Sequence, residues 1–188
     1  MMANYNRERR HLKSLFNGIE AFCAKCDECC FTYGWILPCE VEKFLMFDDL
    51  VYLNGNLVTL DSFEKDLKGK RITAKIPRCK FYSKQSCLIH NIKPFDCLLY
   101  PIKVLYNERR GDFSVVISED CPYIKDVIKN SQIQSKAKEI KKIFDAMNPS
   151  LKKEYFLYVK KWRKISKDKR FKNIKVCEYS EKDIFKKI

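Results

Sequence analysis

The 188-residue chain is 46% hydrophobic and 13% aromatic, which is enough to bury a real core and too apolar for a disordered polyelectrolyte. It holds no run of 18 apolar residues, so the sequence offers no membrane-spanning helix and no membrane partner. The net charge of +14 is unevenly spread. Residues 1–125 hold 19 basic against 16 acidic side chains, whereas residues 126–188 hold 19 against 8.

Residues 5–21 read as an amphipathic helix with Leu12, Leu15, Phe16 and Ile19 on one face. The charged start "MMANYNRERRHLKSLF" has no apolar stretch of the kind that directs secretion, so the expected location is the cytoplasm. "CAKCDECC" follows at residues 23–30. "FTYGWIL" reads as a short strand, and Pro38 opens a helix over "CEVEKFLMF". "VYLNGNLVTL" alternates around Asn54-Gly55, a strong hairpin signal. "RITAKI" is a further strand candidate, leading into the loop-rich "RCKFYSKQSCLIHNIKPFDCLLYPI". "IKVLY" and "FSVVI" flank "NERRGD" as a second hairpin, ending at Cys121.

Beyond residue 126 the texture becomes lysine-rich helix, with Ile133, Ala137, Ile140, Phe144 and Met147 at helical spacing. Asn148 reads as an N-cap with Pro149 at the first helical position. The helix that follows places Leu151, Tyr155, Tyr158, Val159 and Trp162 on one face. "FKNIKVCEYS" is ambiguous between helix and strand, and Ser180 caps a last short turn. The expected fold class is therefore α+β. It is a small, loop-rich, metal-stapled domain of short antiparallel strands over residues 1–125, with a basic helical extension over 126–188 packed on it.

Ten cysteines carry the chemistry. Disulfides are disfavoured in a reducing compartment, and adjacent cysteines such as Cys29 and Cys30 bridge only with strain. A metal-free thiol relay would require free thiols of low pKa. Metal is the better fit. In Cys-x-x-Cys both sulfurs reach one ion, with Zn–S near ~2.3 Å. Cys23, Cys26 and Cys29 repeat that spacing twice, as in the run that holds iron–sulfur clusters in bacterial ferredoxins. Cys30 departs from that run, because neighbouring side chains point apart. Its presence implies two sites, or one polynuclear site reached from both sides. Cys79, Cys87, Cys97 and Cys121 bring the count to eight. Eight thiols suit two closed four-sulfur zinc sites or one cluster with spares. Cys39 and Cys177 fall outside the pattern and read as buried apolar residues. His90, inside the cysteine loop, reads as a hydrogen-bonding neighbour of a ligand rather than as a ligand.

Taken together, these segments resemble the CxxCxxCC cysteine-cluster family, described as a zinc- or iron-chelating domain. The resemblance rests on Cys23, Cys26, Cys29 and Cys30; on Cys79 and Cys87; on Ile89, His90, Pro94, Cys97, Tyr100 and Pro101; and on Cys121. It spans roughly residues 23–123. Lys93 stands where the family carries arginine, which keeps the charge but loses the bidentate fork. Glu40 falls where the family carries an acidic residue after its first strand. The resemblance implies a cysteine-bound iron–sulfur cluster or zinc. More distantly it implies the methyl-transfer chemistry of flagellin lysine N-methylases. The chain has no Gly-rich nucleotide loop to support that activity independently.

"KKWRKISKDKR", residues 160–170, sets seven positive charges around Trp162 and Ile165. One reading is a patch for nucleic acid or an acidic protein. The other is a solvated helix whose aromatic face packs inward. Lysine outnumbers arginine 29 to 9, which favours the second, since bidentate phosphate contacts call for arginine.

Overall fold

The structure, a computed structural model, describes residues 10–12, 14–16, 18–19, 22, 34–47, 50–53, 56–61, 79–83, 86–162 and 173–186. The fold is α+β, as expected, with short antiparallel strands and a largely helical C-terminal region. The backbone packs into two compact units, residues 18–98 and residues 1–17 with 99–188. The boundary read at residue 125 marks a change of charge and cysteine content. The backbone divides instead after residues 17 and 98.

Within 18–98, the chain passes Trp35, which bridges Val58, and turns through a 3-10 segment, Pro38–Glu40, into α1, Val41–Phe44. Strands β1, Leu50–Leu53, and β2, Asn56–Asp61, pair antiparallel with Leu53 opposite Asn56. That register leaves two positions between the strands, the spacing that Asn-Gly favours, and Asn54 and Gly55 themselves lie outside the described residues. Strands β3, Tyr82–Ser83, and β4, Ser86–Cys87, form a second, minimal hairpin. A 3-10 turn, His90–Ile92, precedes α2, Phe95–Leu99. Among the described residues, one apolar cluster gathers Ile36, Phe44, Phe81 and Ile89, with Phe47 edge-on to Phe81 at 4.9 Å. The candidate strand "RITAKI" lies outside the described residues.

The other unit is built on a three-stranded antiparallel sheet, β5, Ile102–Asn107, β6, Asp112–Ser118, and β7, Asn173–Ser180, with β6 central. Asn107 shapes the β5–β6 connection. Its Oδ1 accepts from the Arg109 and Arg110 amides, and Gly111 supplies the left-handed φ of 65° that closes the turn. The ambiguous segment "FKNIKVCEYS" is β7, whose mixed burial shows no clean alternation. Arg110 ties it to the hairpin by pairing with Asp112 at 2.9 Å and Glu178 at 2.6 Å.

Helices α3, Pro122–Asp126, α4, Asn130–Ala146, α5, Pro149–Trp162, and α6, Glu181–Phe185, complete this unit. The expected caps are in place. Asn148 Oδ1 accepts from the Ser150 and Leu151 amides, and Ser180 Oγ accepts from the Asp183 amide. Ile140, Phe144, Met147, Leu151, Tyr155, Tyr158 and Val159 are buried, as their spacing requires. So are Leu12, Leu15 and Phe16 of the N-terminal helical stretch. Phe113 and Phe156, 4.8 Å apart with their rings inclined at 65°, anchor an aromatic core with Phe144 and Tyr179.

Candidate functional site

Cys23, Cys26, Cys29 and Cys30 lie outside the described residues. Cys79, Cys87 and Cys97 belong to the unit of residues 18–98, and Cys121 belongs to the other.

The second hairpin holds Cys79 and Cys87. The Tyr82 amide donates to the Cys79 carbonyl at 3.1 Å, and Tyr82 faces Cys87 across β3–β4. Both cysteines pack on the apolar cluster through which Phe81 and Ile89 fasten the hairpin to Phe44. Two-residue strands have little pairing energy of their own, so this apolar footing sets where the sulfurs lie.

Cys97 rides on α2, and a carboxylate fixes that helix. Glu40 is fully buried. Its Oε2 accepts from the Leu37 amide at 3.1 Å and its Oε1 from the Phe95 amide at 2.8 Å. One side chain thus closes the 3-10 turn and satisfies an orphan amide at the start of α2, where negative charge is favoured. Asp96, also buried, accepts from the Trp35 amide at 3.4 Å. The segment 34–37 is therefore fastened to the start of α2 at two points.

Close packing follows. A Cβ on Gly34 would stand 2.1 Å from Cys97 Sγ, so only glycine fits beneath that sulfur. Thr59, fully buried on β2, joins this contact to the second hairpin. Its Oγ1 accepts from the Gly34 amide at 2.7 Å and lies 3.3 Å from Cys79 Sγ, whose thiol donates to it.

Burial pushes the Cys97 thiol well above the ordinary cysteine value. The Asp96 carboxylate and the sulfurs of Cys79 and Cys87 push the same way, while the Lys93 ammonium opposes them. Lys93 thus supplies positive charge toward Cys97 from the position where the resemblance expects arginine. His90 opens the 3-10 turn, partly exposed.

Cys121 is the N-cap of α3, with Pro122 at the first helical position, and it is buried. The Cys121 sulfur and, above all, burial raise the neighbouring Tyr123 phenol. Cys39 and Cys177 differ from expectation, since both are partly exposed. Cys177 sits on the sheet beside Tyr179, Lys141 and Asp145, a polar setting that cysteine spacing cannot reveal. Among the described residues, no three Cys, His, Asp or Glu side chains are grouped as metal ligands. Of the basic stretch, Lys160 is paired with Glu181 and lies 5.7 Å from the Tyr106 ring, while residues 163–170 lie outside the described residues. Among the described residues no helix is long and apolar enough to cross a membrane.

Gly34, Thr59 and Asp96 are the residues that sequence reading misses. Nothing local marks them, because their partners lie between 20 and 63 positions away. Comparison of the chain with protein-family models, curated proteins and solved structures returned no match.

Proposed function

We propose that the protein is a cytoplasmic metal-binding protein of the CxxCxxCC type. It holds iron, as an iron–sulfur cluster, or zinc through Cys23, Cys26, Cys29, Cys30, Cys79, Cys87, Cys97 and Cys121. The observation that supports this reading is the proximity of described thiols, although these do not themselves form a three-ligand group. Cys79 and Cys97 meet at Gly34 and Thr59, and Cys87 is close enough to act on the Cys97 thiol. As thiolates these sulfurs would repel one another, and a bound cation removes that repulsion while taking soft donors suited to zinc or iron. Thr59 and Lys93 then act on the ligands from outside, through a hydroxyl near one sulfur and a charge near another. With an iron–sulfur cluster the protein would carry electrons or support redox or methyl-transfer chemistry.

The second reading is a structural zinc-stapled module whose basic C-terminal helices bind a polyanion such as nucleic acid or an acidic protein. The even count of eight thiols and the charge of residues 160–170 favour it.

Elemental analysis with an absorption spectrum, on protein purified without oxygen, tests both. Iron with inorganic sulfide and a band at roughly 400 nm would establish the cluster. Stoichiometric zinc without colour would favour the structural module. C87S should lose bound metal, and C177S should keep it. Metal-free protein with all ten thiols titrating as free would overturn both readings.

A further inference from the structure

In the sheet unit, a cavity of about 510 Å³ opens between the start of α5 and helix α6. It lies in the size range of small-ligand sites. Its walls combine charge and apolar surface. Lys152, Lys153 and Lys186 supply the positive groups, Asp145 and Asp183 the negative ones, and Met147, Pro149 and Ile184 apolar surface.

Both carboxylates are already engaged. Asp145 pairs with Lys141 at 2.5 Å and accepts from the Tyr179 hydroxyl at 2.7 Å. Asp183 pairs with Lys186 at 2.8 Å and accepts from the Ser180 hydroxyl at 2.7 Å. The lysines are less well matched. Lys152 is half-buried with its ammonium 4.0 Å from the centroid of the Tyr179 ring, and no ion pair joins it or Lys153 to a carboxylate among the described residues. Burial lowers the Lys152 pKa, the direction expected of an ammonium enclosed without a full counter-charge. The Ser150 and Leu151 amides are taken by Asn148, so a ligand here meets side chains, the Ser150 hydroxyl among them.

Two adjacent ammoniums outside any ion pair among the described residues, with the already paired Asp145 the only carboxylate acting on Lys152, suit a dianion better than a single carboxylate, and the apolar surface suits an organic body. The geometry points to a binding site for a small organic phosphate monoester, its phosphate held by Lys152 and Lys153 and its apolar part laid on Pro149 and Ile184. This site includes none of the proposed metal ligands and does not depend on the metal reading; its cysteine neighbour is Cys177, beside Asp145 and Lys152.

The test is an amide chemical-shift titration of the full chain with adenosine 5′-monophosphate, inorganic phosphate and adenosine. The nucleotide should shift Ser150, Lys152, Lys153 and Ile184 saturably, phosphate should shift the same lysines more weakly, and adenosine should leave them unmoved. K153Q, an exposed change that leaves the fold intact, should weaken nucleotide binding about tenfold, the scale of one lost charge-assisted hydrogen bond. K152Q should weaken it at least as much, and K129Q, which removes an equal charge elsewhere, should not. The proposal is overturned by three results: no saturable shift at these residues with either phosphate probe, equal weakening by K129Q, or binding of an RNA oligonucleotide only, spread over α4 and α5.

Discussion

The two units solve the same problem with different means. The sheet unit is held by apolar packing: buried Phe144, Tyr155 and Phe156 form a helix-borne aromatic cluster that meets Phe113 of a central strand enclosed nearly throughout. Among the described residues of 18–98, Ile36, Leu37, Phe44, Val58, Phe81, Ile89 and Phe95 are buried, and the strands are as short as two residues. Beside them stand buried and part-buried polar links, Glu40 to Phe95, Asp96 to Trp35 and Thr59 to Gly34 and Cys79. A unit tied in this way is sensitive to single atoms and is suited to fixing thiols in place. A greasy core tolerates exchange and is suited to carrying the mass of the fold.

Four measurements would sharpen or break this contrast. The largest effect belongs to F156A, which empties the middle of the aromatic core and should cost roughly 3–5 kcal/mol in denaturant unfolding. It should leave the reactivity of Cys79 and Cys87 unchanged, and a change there would mean that the units are not energetically distinct. E40A comes next. It deprives the Leu37 and Phe95 amides of a charged acceptor and should cost about 3 kcal/mol, with E40Q recovering part. A loss below about 1 kcal/mol would show that the carboxylate is no staple. G34A forces a Cβ against Cys97 Sγ and should cost about 1–3 kcal/mol. It should also lower metal content if Cys97 is a ligand, and unchanged content would remove Cys97 from the ligand set.

The smallest effect is on the pH profile of the sheet unit. Lys160, then the Tyr106 hydroxyl, hold Glu181 below the usual carboxylate value, and Glu181 in turn pushes Tyr106 up to about 12. Glu181 ionises more readily in the fold, so its contribution is present above pH 4.5 and fades as pH falls through its lower folded value. Tyr106 holds its proton more tightly in the fold, so its contribution is present below pH 10 and fades as pH rises toward 12. E181Q should flatten both edges of the Tm–pH curve and Y106F mainly the alkaline one. Identical curves would show that the contact contributes nothing.

The sheet unit was the more legible in sequence, and for a physical reason. Asn148-Pro149 and Ser180 act on amides two or three residues away, and the faces of α4 and α5 repeat at helical period. In the other unit the pairing of β1 with β2 was equally local. The setting of the cysteines was not. Glu40 meets Phe95 across 55 positions and Thr59 meets Gly34 across 25, and no local pattern encodes such a pair. Glu40 drew notice only through the family resemblance, which gave no hint that it bonds two backbone amides. β7 escaped because its burial does not alternate, so neither period stood out. The split of charge at residue 125 was read correctly as composition, yet β7 lies beyond it and completes the sheet begun before it.

That closing strand has a consequence for biosynthesis. β6 receives β5 at once, through a four-residue loop, but its other edge waits for residues 173–180. At translation rates of about 5–20 residues per second, the 55 positions from 118 to 173 take roughly 3–11 s to emerge. Through that interval the nascent chain displays an apolar strand with an open hydrogen-bonding edge, the template on which chains aggregate. A ribosome stalled between α5 and β7 would leave this unit without its last strand and in need of a chaperone.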